Sequence, residues 1–123
     1  MRKIMPQEIE VWYLLPSLRK EIARVFIKDY NMKQKEVADI LGVTEAAVSQ
    51  YLSSKRAVEL KFPKEELEQI KIAADKIVKN KSEAMEHLSS LSKKFMGNSK
   101  TICDLHRKYD TSVSHKCAIC ATH

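Results

Sequence analysis

Between Gln7 and Tyr30 the apolar residues return at helical rather than strand spacing. Leu18, Ile22, Val25 and Phe26 recur at steps of three and four, while Arg19, Lys20, Arg24 and Lys28 fall largely elsewhere. That spacing predicts an amphipathic helix running to about Tyr30. Pro16 divides the segment, because proline has no N–H to donate and biases the preceding Leu15 away from the helical region. Residues 7–30 therefore read as two helical pieces, with Pro16 opening the second.

From Lys33 the chain runs Gln34-Lys35-Glu36-Val37-Ala38-Asp39-Ile40-Leu41-Gly42, then Val43-Thr44-Glu45-Ala46-Ala47-Val48-Ser49-Gln50-Tyr51-Leu52. Gly42 is the residue type that most easily takes the left-handed conformation that ends a helix. Thr44 has the side chain of an N-cap, and Glu45 suits the positive end of the helix that follows. The prediction is a helix-turn-helix. The small Ala38 lets two crossing helices approach, and Val37, Leu41, Val43, Val48 and Tyr51 supply the apolar contacts. Gly42 stands four residues after Ala38, and Val48 six after Gly42, the spacing of DNA-binding units of this kind.

A plain αα-hairpin would share the Gly-terminated first helix, so the outward face of the second helix decides between them. Thr44, Glu45, Ala46, Ser49 and Gln50 are short or amide-bearing there, and Ser53, Ser54, Lys55 and Arg56 follow. Small residues admit a helix to the major groove. Gln50 offers a bidentate donor and acceptor to adenine, and Ala46 a methyl contact to thymine. Lys55, Arg56 and the Gln34 amide, with the backbone at the helix N-termini, suit phosphates, which fix register without reading sequence. The candidate DNA-contacting set is thus Gln34, Thr44, Glu45, Ala46, Ser49, Gln50, Ser53, Lys55 and Arg56.

Phe62-Pro63-Lys64-Glu65-Glu66 is a helix start, with proline at the first helical position and acids in the first turn. Leu67, Ile70, Ala74, Ile77 and Val78 then share a face until Asn80-Lys81. Ser82 is suited to cap a further helix, with Glu83 beside it, that carries Met85, Leu88, Leu91 and Phe95 on one stripe until Gly97-Asn98. Two amphipathic helices in so small a chain have apolar faces to cover, either by folding back on the N-terminal helices or by a second copy of the chain. The two-fold symmetry of DNA sites favours a homodimer. The expected fold class is all-α, with a helix-turn-helix domain over residues 1–60, a helical dimerisation region over 61–98 and a tail over 99–123.

Composition narrows the classes further. The chain has 123 residues, and two Gly with few alternating β-branched runs argue against a sandwich or barrel. The longest apolar stretch falls far short of the roughly 20 residues of a membrane span, and the start of the chain has no apolar signal core. Three cysteines, all after residue 102, are not the even-numbered framework of a small secreted protein, so a reducing cytoplasm is the expected compartment. The formal net charge is +6, spread evenly between the halves, so charge by itself carries little weight for a nucleic-acid partner.

Leu15-Pro16-Ser17-Leu18-Arg19, the run Gln34 to Gly42, and Val43 to Arg56 together resemble the phage-repressor type of helix-turn-helix found in archaeal transcriptional regulators. The resemblance covers about the first 57 residues. It implies a sequence-specific regulator of transcription that acts as a homodimer on double-stranded DNA, more often as a repressor.

The last residues hold Cys103-x2-His106 and Cys117-x2-Cys120. Two close pairs of soft or borderline ligands match what a tetrahedral metal needs, and Zn²⁺ is the simplest occupant of a Cys3His set. Bound metal would contribute folding free energy to a short polar tail. An iron–sulfur cluster would fit three thiolates and a histidine and would make the regulator a redox sensor. Free thiols, or a reversible Cys117–Cys120 disulfide, are the remaining alternatives. Regulators of the type the chain resembles carry further cysteines upstream, whose places here are Ser89, Ser92 and Gln7, none of them a thiolate.

Catalysis is not expected. The sequence has no Gly-rich phosphate loop, no His-Glu-x-x-His and no nucleophile elbow, and a closed Cys3His site is structural. The rival to a DNA-binding regulator is a metal-stapled helical adaptor for another protein, in which the helix-turn-helix is structural only.

Overall fold

In a computed structural model, residues 5–53, 60–98, 101–102 and 104–105 are described. Among them there is no strand, in line with the all-α expectation. Helix α1 (Pro6–Ile9) runs through a π-helical turn (Glu10–Leu14) into α2 (Leu15–Tyr30); α3 (Gln34–Leu41) and α4 (Glu45–Leu52) follow, then α5 (Lys64–Lys79), a 3₁₀ turn (Lys81–Glu83) and α6 (Ala84–Asn98). No helix among the described residues is long and apolar enough to cross a membrane.

Pro16 does not break the first segment. Leu15 keeps helical angles (φ −59°, ψ −45°), and its N–H donates to the Glu10 carbonyl five residues back. The wider turn absorbs the proline, which stands in the first turn of α2 as expected. It also sets the apolar register. Ile9 and Leu14 are five residues apart and both fully buried, after which Leu18, Ile22 and Phe26 continue the buried row at steps of four. Lys20, expected outside the apolar face, is 91% removed from solvent by its neighbours (9% exposed), its aliphatic stem packing where only the ammonium needs polar company. Asn31, left-handed at φ 53°, ends α2 by donating its N–H to the Phe26 carbonyl.

α5 begins one residue later than expected. Pro63 is the N-cap, in extended conformation at φ −67° and ψ 167°, and its carbonyl accepts from the Leu67 N–H at 3.0 Å. Ile70, Ala73, Ala74 and Ile77 form its buried face. Leu67 is 39% exposed and borders an open cavity beside Lys20, Arg24 and Phe62 rather than the core. Ser82 is not a helix cap either: its hydroxyl donates to the Asn80 side chain at 2.7 Å, inside the 3₁₀ turn. α6 starts at Ala84, so Ala84, Leu88, Leu91 and Phe95 make the buried row, and Met85, a third of a turn away, is 60% exposed.

One hydrophobic core takes in residues of α1, α2, α3, α4, α5 and α6 together with Leu60, Phe62, Ile102 and Leu105. At about 1.5–3 kcal/mol for each large apolar side chain fully buried, this shared core is the main stabilising term. The buried faces of α5 and α6 are thus covered from within the chain, that of α5 chiefly by α2 and that of α6 chiefly by α5, and need no second copy to hide them. Phe62 and Phe95 stack as a tilted pair with ring centroids 5.6 Å apart. Thr101 donates to Glu66 at 2.8 Å, which together with buried Ile102 fastens the start of the tail to α5.

Candidate nucleic-acid interface

The geometry of the turn between α3 and α4 follows from two residues. Gly42 sits at φ 69° and ψ 36°, where an L side chain is strained and glycine is not. Its N–H and that of Val43 both donate to the Ala38 carbonyl, satisfying a group the end of α3 would otherwise leave open. Two residues on, Thr44 is extended (φ −83°, ψ 158°), and its hydroxyl oxygen accepts from the Ala47 N–H at 3.0 Å. Val37, Ala38, Leu41, Ala47, Val48 and Tyr51 are buried between α3, α4 and α2.

Burying Ala47, Val48 and Tyr51 decides which way the rest of α4 faces. At 3.6 residues per turn, Ala46, Ser49 and Ser53 occupy the middle of the opposite face, with Glu45 and Gln50 on its edges. Thr44, Glu45, Ala46, Ser49 and Ser53 are exposed, whereas Gln50 is half-buried. The outward face expected of α4 is therefore present, flanked rather than centred by the glutamine. Ser53 donates its hydroxyl to the Gln50 carbonyl at 3.3 Å, so at the end of α4 one of the small polar groups is turned back onto the chain.

Gln34 is exposed at the first position of α3, where Lys33 provides no side-chain cap, leaving the first amides of α3 open to water or an anion. Lys33 and Lys35, left out of the sequence-based set, are exposed on either side of it. The signal was there in the Lys-Gln-Lys run. Further along, Glu36 is taken by Lys81 at 3.1 Å, which removes one carboxylate from this end of α3 and ties α3 to the turn before α6.

Electrostatic coupling at the far end of α2 is of a different kind. Tyr30 donates its hydroxyl to Asp75 of α5 at 2.6 Å, and Lys71 approaches Asp29 at 3.7 Å. The hydrogen bond to Asp75, with lesser effects from partial desolvation and the negative charges of Asp75 and Asp29, raises the Tyr30 phenol above its ordinary value. These exposed contacts add to the core packing that joins α5 to α2.

Lys55, Arg56 and Ser54, and the expected metal ligands Cys103, His106, Cys117 and Cys120, lie outside the described residues. Among the described residues, no group of three or more His, Cys, Asp or Glu is placed to hold a metal ion. Ser92 is buried and donates its hydroxyl to Glu10 of the π turn at 2.5 Å. Compared with protein-family models, with curated proteins and with solved structures, the chain matches none.

Proposed function

We propose that the chain is a sequence-specific DNA-binding regulator that inserts α4 into the major groove, two copies occupying one inverted-repeat operator, with repression as the outcome of occupancy. The observation that carries this reading is the outward face of α4. It is lined by Ala46, Ser49 and Ser53, small enough for backbone and side chains to approach base edges, while on the opposite side Val48 joins the main core and Ala47 and Tyr51 are buried in a smaller cluster with Val43. Ser49 and Gln50 read bases. Glu45, at the edge, accepts from a cytosine amino group. Lys33, Lys35 and Gln34 at the start of α3 meet phosphates, and Lys55 and Arg56, which follow α4 in the sequence, are further phosphate candidates, setting register without specificity.

Selection from a random pool of duplexes, with the full chain immobilised, tests the reading. The expected result is enrichment of a two-fold symmetric site whose half-sites repeat at about one helical turn of DNA, roughly 34–36 Å. Failure to enrich any motif, with binding that falls steeply with salt and ignores sequence, would leave only non-specific charge attraction.

A further inference from the structure

The outer strip of α5 is turned away from the core. Around Ile72, the residues within a sixth of a turn on either side are Glu65, Glu68, Gln69, Asp75, Lys76 and Lys79, whereas Ile70, Ala74 and Ile77 point the other way into the core. Ile72 is 55% exposed at the midpoint of the helix. Asp75 is occupied within the chain, by Tyr30 of α2. Glu65, Glu68, Lys76 and Lys79 are exposed and form no ion pair with any described residue. Beside the strip, a groove of about 190 Å³ between α5 and α6 is lined by Ile72, Ala73 and Leu91 among polar residues.

Apart from Asp75, which Tyr30 holds, the signs along this strip are segregated about the isoleucine: Glu68 and Lys76 lie four residues before and after Ile72, Glu65 and Lys79 seven before and after. The helix dipole favours that order of charges by itself, but it does not call for a large apolar side chain exposed between them. A second copy of the same helix, running antiparallel about a two-fold axis at Ile72, answers the placement of the isoleucine and of the four unpaired charges. It sets Ile72 on Ile72, each Glu68 opposite a Lys76 and each Glu65 opposite a Lys79, and it opposes the two helix dipoles.

We infer that this strip of α5 is the self-association surface of the protein and that its occupant is α5 of a second copy. The inference rests on the reading of two copies on one operator and gives that reading its contact. α5 has 16 residues, about 24 Å in length and roughly 10 Å across. Its footprint is therefore well under the roughly 800 Å² per partner of a standard stable interface. The free protein accordingly exchanges between monomer and dimer at micromolar concentration, and two half-sites on one duplex bring the copies together at lower concentration.

Sedimentation velocity on the full chain without DNA, from about 1 to about 500 µM, reads this directly. The expected parent shifts from monomer to dimer across that range. Ile72→Arg stays monomeric throughout with an unchanged circular-dichroism spectrum. Glu68→Lys and Lys76→Glu alone each weaken association about tenfold, since each puts like charges together at two symmetric places, and the doubly exchanged chain recovers to within about threefold of the parent. A parent that remains monomeric at the highest concentration overturns the inference. So does a dimer that Ile72→Arg leaves intact, or a double exchange that fails to recover when both single exchanges fold. The two readings fail separately: an Ile72→Arg chain that still dimerises and still selects an operator refutes this surface alone. Failure to select any duplex refutes DNA reading while leaving the sedimentation result standing.

Discussion

Two helix-to-helix turns in this chain solve one geometric problem by different means. Between α3 and α4 the backbone is reversed by Gly42 in a left-handed conformation and restarted by the Thr44 hydroxyl on the Ala47 N–H at 3.0 Å. Between α5 and α6 there is no left-handed residue. Asn80 leaves the helical region at φ −146° and ψ 88°, a 3₁₀ turn follows, and Ala84 and Leu88 in the core hold the second helix in place. The first turn is specified by its own residues, the second by what the helices on either side bury. A unit that must present the same face to a ligand every time gains from the first kind. A pair of helices that closes a core can use the second.

The largest break in this comparison comes from the core that the two regions share. Ile77→Ala, at a fully buried position facing α2, is expected to cost about 2–5 kcal/mol. Urea unfolding followed by circular dichroism should show a single transition moved to lower denaturant. Two separated transitions, with the helix-turn-helix melting as in the parent, would show that the regions fold independently.

Next comes the specified turn itself. A Cβ on Gly42 would meet nothing within 4 Å, so the cost of Gly42→Ala is backbone strain alone, about 1–2 kcal/mol, and Gly42→Asn is expected to cost less. Thr44→Ala removes the cap for about 1 kcal/mol. Ser82→Ala, in the turn set by packing, should change stability by less than about 0.5 kcal/mol. Equal effects of Thr44→Ala and Ser82→Ala in the same urea titration would erase the distinction between the turns.

The smallest effect is electrostatic and lies outside both turns. Tyr30 has a phenol raised by its bond to Asp75. The folded chain therefore holds this proton more tightly than the unfolded chain. The contribution is fully present below the unfolded value near 10 and is lost as pH rises through the higher folded value. Thermal melts between pH 8 and pH 11 should show a steeper alkaline decline in the parent than in Tyr30→Phe, and identical slopes would deny the coupling.

The same contrast explains what could be read from the chain. The α3–α4 turn was legible because Gly42, Thr44 and Ala38 carry their roles in their own chemistry. Pro16 was legible as the opening of α2, but the π turn before it was not; the five-residue step from Ile9 to Leu14, followed by steps of four, was the trace that turn left. Leu67 and Met85 were assigned to apolar faces because periodicity gives a helix's stripe but not which edge of it a neighbour covers. The fold-back of α5 and α6 on α2 likewise depended on long-range packing. In the candidate site, the exposure of Thr44, Ala46 and Ser49 followed from the cap and register of α4, whereas Lys33 and Lys35, whose Lys-Gln-Lys run was visible, needed the uncapped start of α3 to stand out.

The central claim is that α4 reads base sequence, and a paired anisotropy titration tests it most directly. A labelled duplex carrying the selected site and one of equal length with that site scrambled are titrated at one fixed salt concentration, with the parent and with Gln50→Ala. The parent should prefer its site by about a thousandfold or more. Gln50→Ala should lose about 1–3 kcal/mol of that preference through its own base position, while its affinity for the scrambled duplex stays unchanged. Equal affinity of the parent for both duplexes, or a preference untouched by Gln50→Ala together with Ser49→Ala, would contradict the assignment of α4 as the reading helix.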